Sequence, residues 1–82
     1  MLTESALTKV LEALPGVQRV EVVRDSRLIA TVVSDRFQPM YEGQRQQLVW
    51  SFLRQSFDEE QLRDVEFIFT LASEDDGVGV EV

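Results

Sequence analysis

The chain has 82 residues, 44% hydrophobic and 28% charged, the balance of one globular domain that buries roughly 60 to 65% of the surface its unfolded form exposes. Cysteine and histidine are both absent, which excludes disulfides, thiolate nucleophiles and Ser-His chemistry, and removes the commonest transition-metal ligands. With 8 Lys and Arg against 15 Asp and Glu the formal charge is -7, a field that repels phosphate backbones and anionic lipid and matches a basic protein surface better.

No apolar run approaches the roughly 18 residues of a membrane helix. Met1 to Ala13 carries acidic and polar side chains inside any signal-like core, so the expectation is a cytoplasmic protein with no membrane partner.

In chain order, Thr3 is placed as an N-cap with Glu4 in the first turn, where a carboxylate complements the helix dipole. Leu7, Val10, Leu11 and Leu14 follow the spacing of one helical face, and Pro15 and Gly16 stop the helix. Val17 to Arg24 is rich in β-branched residues, with Val20 and Val22 pointing one way and Arg19, Glu21 and Val23 the other. Asp25 and Ser26 suit a tight turn into a second, more continuously apolar strand, Leu28 to Ser34, which should be better covered. The two strands read as an antiparallel hairpin.

Asp35 to Pro39 forms a loop before the longest helix, whose buried stripe is marked by Tyr41, Arg45, Leu48, Val49, Phe52 and Leu53. Gly43 weakens that helix by about 1 kcal/mol relative to Ala, and either permits a close approach to the sheet or delays the helix start. Trp50 lies about 200° around the helix from Leu48, at the edge of the buried face. A short helix over Phe57 to Leu62 has Asp58 as N-cap and Glu59 and Glu60 in its first turn. Val65, Phe67, Phe69 and Leu71 then alternate with Glu66, Ile68 and Thr70, the clearest strand in the chain.

The long helix between the second and last strands allows those strands to run parallel. The expected fold is therefore α+β in the order α-β-β-α-α-β, a three-stranded mixed sheet with helices on one face. Whether the last strand lies beside the first or the second is left open. The domain is expected to span residues 1–72, with an acidic, glycine-containing and mobile tail over 73–82.

Val33, Ser34, Phe37, Arg45, Val49 and Leu53 fall, without a gap, in register with the central signature of the BolA-like superfamily, which this chain resembles from Ala6 to about Asp76. Ser73 to Asp76 is similar to the Thr-Pro-Glu-Glu that often follows that family's last strand. The resemblance implies a type II KH-like fold. Family members are linked to monothiol glutaredoxins through an iron-sulphur cluster held by a histidine and a loop ligand. Here Val65 stands in the histidine's place and the loop is cut to Asp25 and Ser26, Pro39 replaces the glycine after the phenylalanine, and Gln47 replaces the second arginine.

The expectation is thus an acidic BolA-like protein-interaction or regulatory module that is not an enzyme and has no catalytic residues, cofactor or metal site. Asp25, Arg27, Tyr41, Arg45 and Trp50 are the candidate partner contacts, Trp50 because tryptophan is enriched among binding hot spots. The rival readings are a monothiol glutaredoxin partner that does not itself ligate the cluster, and a nucleic-acid-binding regulator. The charge of -7 and the lack of a Gly-x-x-Gly loop weigh against the second. The carboxylate clusters at Asp58 to Glu60 and Glu74 to Asp76 lack the apolar setting that moves a pKa toward neutrality.

Overall fold

The computed structural model describes residues 1–73; from Glu74 on, the expected tail lies outside the described residues. The elements are α1 (Glu4–Glu12), β1 (Val17–Asp25), β2 (Arg27–Ser34), a 3-10 turn (Asp35–Phe37), α2 (Glu42–Arg54), α3 (Glu59–Leu62) and β3 (Val65–Leu71). This is the α+β order α-β-β-α-α-β. β1 runs antiparallel to β2, and β3 pairs with β2 in parallel, so the sheet is mixed with β2 in the middle.

Local chemistry sets the element ends. Thr3 Oγ1 accepts the Ala6 N–H at 3.1 Å and opens α1. Asp58 accepts the Gln61 N–H at 2.8 Å, and Gln61 Oε1 returns a bond from the Asp58 N–H, a reciprocal cap that starts even the four-residue α3. Gly16 takes φ +86°, where a Cβ would also stand 2.5 Å from Arg36 Cδ; only glycine fits that turn without strain. The buried Ser34 hydroxyl donates to Gly16 O at 2.8 Å and accepts the Arg36 N–H at 3.2 Å. One side chain thus ties the α1–β1 turn to the 3-10 turn, and Phe37, with no exposed surface, anchors that turn in the core.

Two expectations for α2 change. Tyr41, expected on the buried stripe, is 71% exposed. The helix begins only at Glu42, so Tyr41 is an extended N-cap residue and its side chain is out of phase with the stripe. Gly43 sits in the first turn, and a Cβ there would meet nothing nearer than the Tyr41 ring at 3.4 Å. It provides no close approach to the sheet and does not delay the helix.

Two bulges set which face each strand residue occupies. In β1 the register shifts between Val17 and Arg19. In β3 it shifts at Glu66, because Leu28 pairs with Val65 while Ile29 pairs with Phe67. An extra residue in one strand moves everything beyond it to the opposite face. The group Val65, Phe67, Phe69 and Leu71 is therefore split. Val65 faces the helices, and beyond Glu66 it is Ile68 and Thr70 that turn inward and are buried.

The core lies between the helices and one face of the sheet. Leu7 and Leu11 of α1, Val49 and Leu53 of α2 and Leu62 of α3 pack with Phe37 against Leu28, Ala30, Val32, Val65 and Ile68. Each such side chain contributes about 1.5 to 3 kcal/mol by leaving water. At the hairpin end the Arg24 guanidinium donates to Leu2 O and pairs with Asp64 at 3.0 Å, which fastens the start of the chain to the α3–β3 junction.

Candidate functional site

The outer face of the sheet presents three rows. Val23, Ile29 and Phe67 align across the strands, then Glu21, Thr31 and Phe69, then Arg19, Val33 and Leu71. None of these residues belongs to the core beneath the helices. Val23 is 55% exposed, Phe67 46% and Phe69 49%. The two rings meet edge to face with centroids 4.7 Å apart, an arrangement favoured by the ring quadrupoles. Across residues 29–33 and 67–71 the face holds Ile29, Thr31, Val33, Phe67, Phe69 and Leu71, and toward the hairpin it continues to Arg27 of β2. Further charges lie to the side, on β1, where Arg19 and Glu21 form an ion pair at 3.2 Å. An apolar, aromatic centre beside a polar margin is the composition of protein interfaces.

The five residues singled out from sequence do not form one patch. Arg45 is an internal bracket. Its Nε donates to Phe37 O and Met40 O, both at 3.0 Å, and its Nη1 donates to Thr70 O at 3.0 Å. Its guanidinium also lies 5.9 Å from the centre of the Phe37 ring. One planar fork thereby joins the 3-10 turn, the approach to α2 and β3. Tyr41 projects near the same end of α2, its backbone N–H bound to Gln44 Oε1 at 3.2 Å.

Trp50 is half-buried two turns further along α2. Its indole N–H donates to Gln46 Oε1 at 3.0 Å, while Gln46 Nε2 donates to Glu42 at 2.7 Å and to Ile68 O at 2.8 Å. The buried Thr70 hydroxyl donates to the same Glu42 carboxylate at 3.2 Å. Among the described residues no buried side-chain nitrogen or oxygen lacks a partner.

Asp25 is exposed at the hairpin tip, opposite Arg27 and beside Ser26, which takes φ 70°. Arg27 donates to Arg63 O at 3.0 Å and Val65 O at 3.1 Å, so its charge braces the α3–β3 junction. It also lines an open hollow of about 710 Å³ together with Leu2, Asp58, Gln61 and Asp64. Among the described residues no three Asp or Glu side chains gather as a metal-holding group.

Val23, Phe67 and Phe69, the exposed apolar residues of the sheet, were not among the candidates. The one signal in the sequence is the Phe-x-Phe spacing. It marks two residues on a common face, but which face depends on the bulge at Glu66.

The six residues that carry the likeness to the BolA-like pattern have structural work here. Phe37, Val49 and Leu53 are core, Ser34 is a turn cap, Arg45 is the bracket, and Val33 is 3% exposed in the middle strand. No family model matches the chain, and a search of curated proteins finds no match.

Proposed function

We propose that this chain is an acidic protein-interaction module of BolA-like build, which holds a protein partner on the open face of its sheet and has no catalytic, metal or cofactor chemistry of its own. The observation that carries the reading is the half-exposed Phe67–Phe69 pair on a sheet face that the helices leave uncovered. Half-exposed aromatic rings on a strand offer a large contact area with few side-chain torsions to freeze on binding. The partner presents an apolar strip flanked by basic groups, as the net charge of -7 favours.

The resemblance nominates a monothiol glutaredoxin as the first partner to test, bound without a metal ligand from this chain. The experiment is a titration of the isotopically labelled chain with apo glutaredoxin, followed through backbone amide signals. Binding on the open face shifts the signals of Ile29 to Val33 and Phe67 to Leu71 and leaves those of α1 in place. Shifts centred on Trp50 and Arg54 would move the contact to the helical side and refute the assignment.

A further inference from the structure

Neither edge of the sheet offers its backbone to a partner strand. On the outer edge of β3 the carbonyls of Ile68 and Thr70 are taken by Gln46 and Arg45 of α2, at 2.8 and 3.0 Å. On the other edge, β1 has its bulge between Val17 and Arg19 and carries Arg19, Glu21, Arg24 and Asp25. Occupied carbonyls, bulges and charged side chains all discourage strand pairing at an edge. A partner of the sheet therefore meets its open face, not its ladder.

That face belongs to a strand suited to cover on both sides. Leu28, Ala30 and Val32 of β2 pack beneath the helices, while Ile29, Thr31 and Val33, all β-branched, stand on the other side. β2 also pairs with β3 in parallel. Parallel strands with such residues on both sides normally lie between two layers of helices. One layer is present here. Val33 is itself buried, so the uncovered area centres on Val23, Phe67 and Phe69.

The size and chemistry of this area select one kind of element. A strand laid on the rings would find no edge to pair with, and its N–H and C=O groups would face apolar side chains. A helix satisfies those groups within itself. Across the strands, Val23, Ile29 and Phe67 span about 10 Å at the usual strand spacing, close to the diameter of one helix with its side chains. Along β3, Phe67 to Leu71 covers about 13 Å, the rise of about nine helical residues. On the β1 side the Glu21 side chain is 68% exposed, and the whole chain carries -7. Basic groups on the flank of an approaching element are attracted by that field.

We infer, on the footing that the open face is the contact, that the partner's element is a basic amphipathic helix of about three turns. It lies along β2 and β3 with its apolar stripe on Ile29, Phe67 and Phe69 and its lysines or arginines toward Glu21. The sheet is then covered by helices on both faces.

Two peptides of about 18 residues, with equal numbers of leucine and lysine, test this by titration into the isotopically labelled full chain at about 0.15 M salt. In one the leucines fall at i, i+3, i+4 and i+7, and in the other leucine and lysine alternate strictly. The helical-period peptide is expected to shift the amide signals of Ile29 to Val33 and Phe67 to Leu71, and to bind about tenfold more tightly than the alternating one. A proline at its centre, or Phe67→Ser with Phe69→Ser in the chain, should each weaken it about tenfold. Circular dichroism confirms that the double variant is folded.

An alternating peptide that binds the same face as tightly overturns the helix and leaves the open face as the contact. Binding of the helical-period peptide that is indifferent to the two serine substitutions places its attraction elsewhere and also overturns the proposal. So does a chain that dimerises through Phe67 and Phe69 at the titration concentration, seen by sedimentation, because a second copy is then the occupant. A face that responds to apo glutaredoxin but to neither peptide overturns the helix alone. A face that responds to none of the three overturns the open-face reading with it.

Discussion

Phe67 and Phe69 stand on the side of β3 opposite Ile68 and Thr70, ring against ring at 4.7 Å, with about half of each surface in water. A domain of this size has few large apolar side chains for its core, and here two of its five phenylalanines are placed outside it. Their stability cost on removal should be correspondingly small. Phe67→Ser and Phe69→Ser are each expected to lower the unfolding free energy by no more than about 1 kcal/mol, whereas Ile68→Ala should cost about 2 to 4 kcal/mol. Urea unfolding of the three variants checks the contrast, and equal losses would place the rings in the core.

Arg45 is expected to behave as a structural residue. Arg45→Ala leaves the carbonyls of Phe37, Met40 and Thr70 without its donors, a loss of about 2 to 4 kcal/mol. Arg45→Lys should recover little of it, because an ammonium cannot reproduce the planar fork. Chemical denaturation decides this, and a variant as stable as wild type would return Arg45 to the candidate contacts.

The two glycines should respond with opposite signs. Gly16→Ala meets both a positive φ and a 2.5 Å approach to Arg36, so it is expected to destabilise by more than about 1 kcal/mol. At Gly43 the backbone is helical and the nearest atom is 3.4 Å away. Gly43→Ala should therefore stabilise by roughly 0.5 to 1 kcal/mol. Thermal melts of the pair test both signs.

Glu66 is the extra residue of the β3 bulge. Deleting it leaves Val65, Phe67, Ile68, Phe69 and Thr70 in strict alternation on the faces they already occupy. The deletion is expected to fold, with Phe67 and Phe69 still outward and stability within about 1 to 2 kcal/mol of wild type. A chain that fails to fold without Glu66 would show that the bulge is needed for more than parity.

What could be read from the sequence divides along the range of the interactions. Thr3, Asp58 and the Pro15–Gly16 stop act through neighbours a few residues away, so α1 and α3 were legible nearly to the residue. The continuous apolar character of β2 marked it as the better covered strand of the hairpin, but not as the middle one, because nothing in the hairpin says which strand β3 joins. The faces of β3 were not legible, because Val, Phe, Phe and Leu repeat at period two straight through the bulge, and nothing local says that one residue is extra. Register belongs to the pairing with β2, which is set by the whole α2–α3 crossover. The acceptors of Arg45 were hidden for the same reason, since Thr70 lies 25 residues away. Tyr41 misled because it continues the helical period one step beyond the true helix start.

The most direct test of the interaction reading is a quantitative capture from native lysate at low salt, with wild type, the Phe67→Ser and Phe69→Ser double variant, and Trp50→Ala run side by side after each is shown to be folded. A specific protein is expected to be retained by wild type and Trp50→Ala and lost with the double variant, with no nucleic acid held. A partner lost with Trp50→Ala and kept by the double variant, or nucleic acid bound equally by all three, would contradict it.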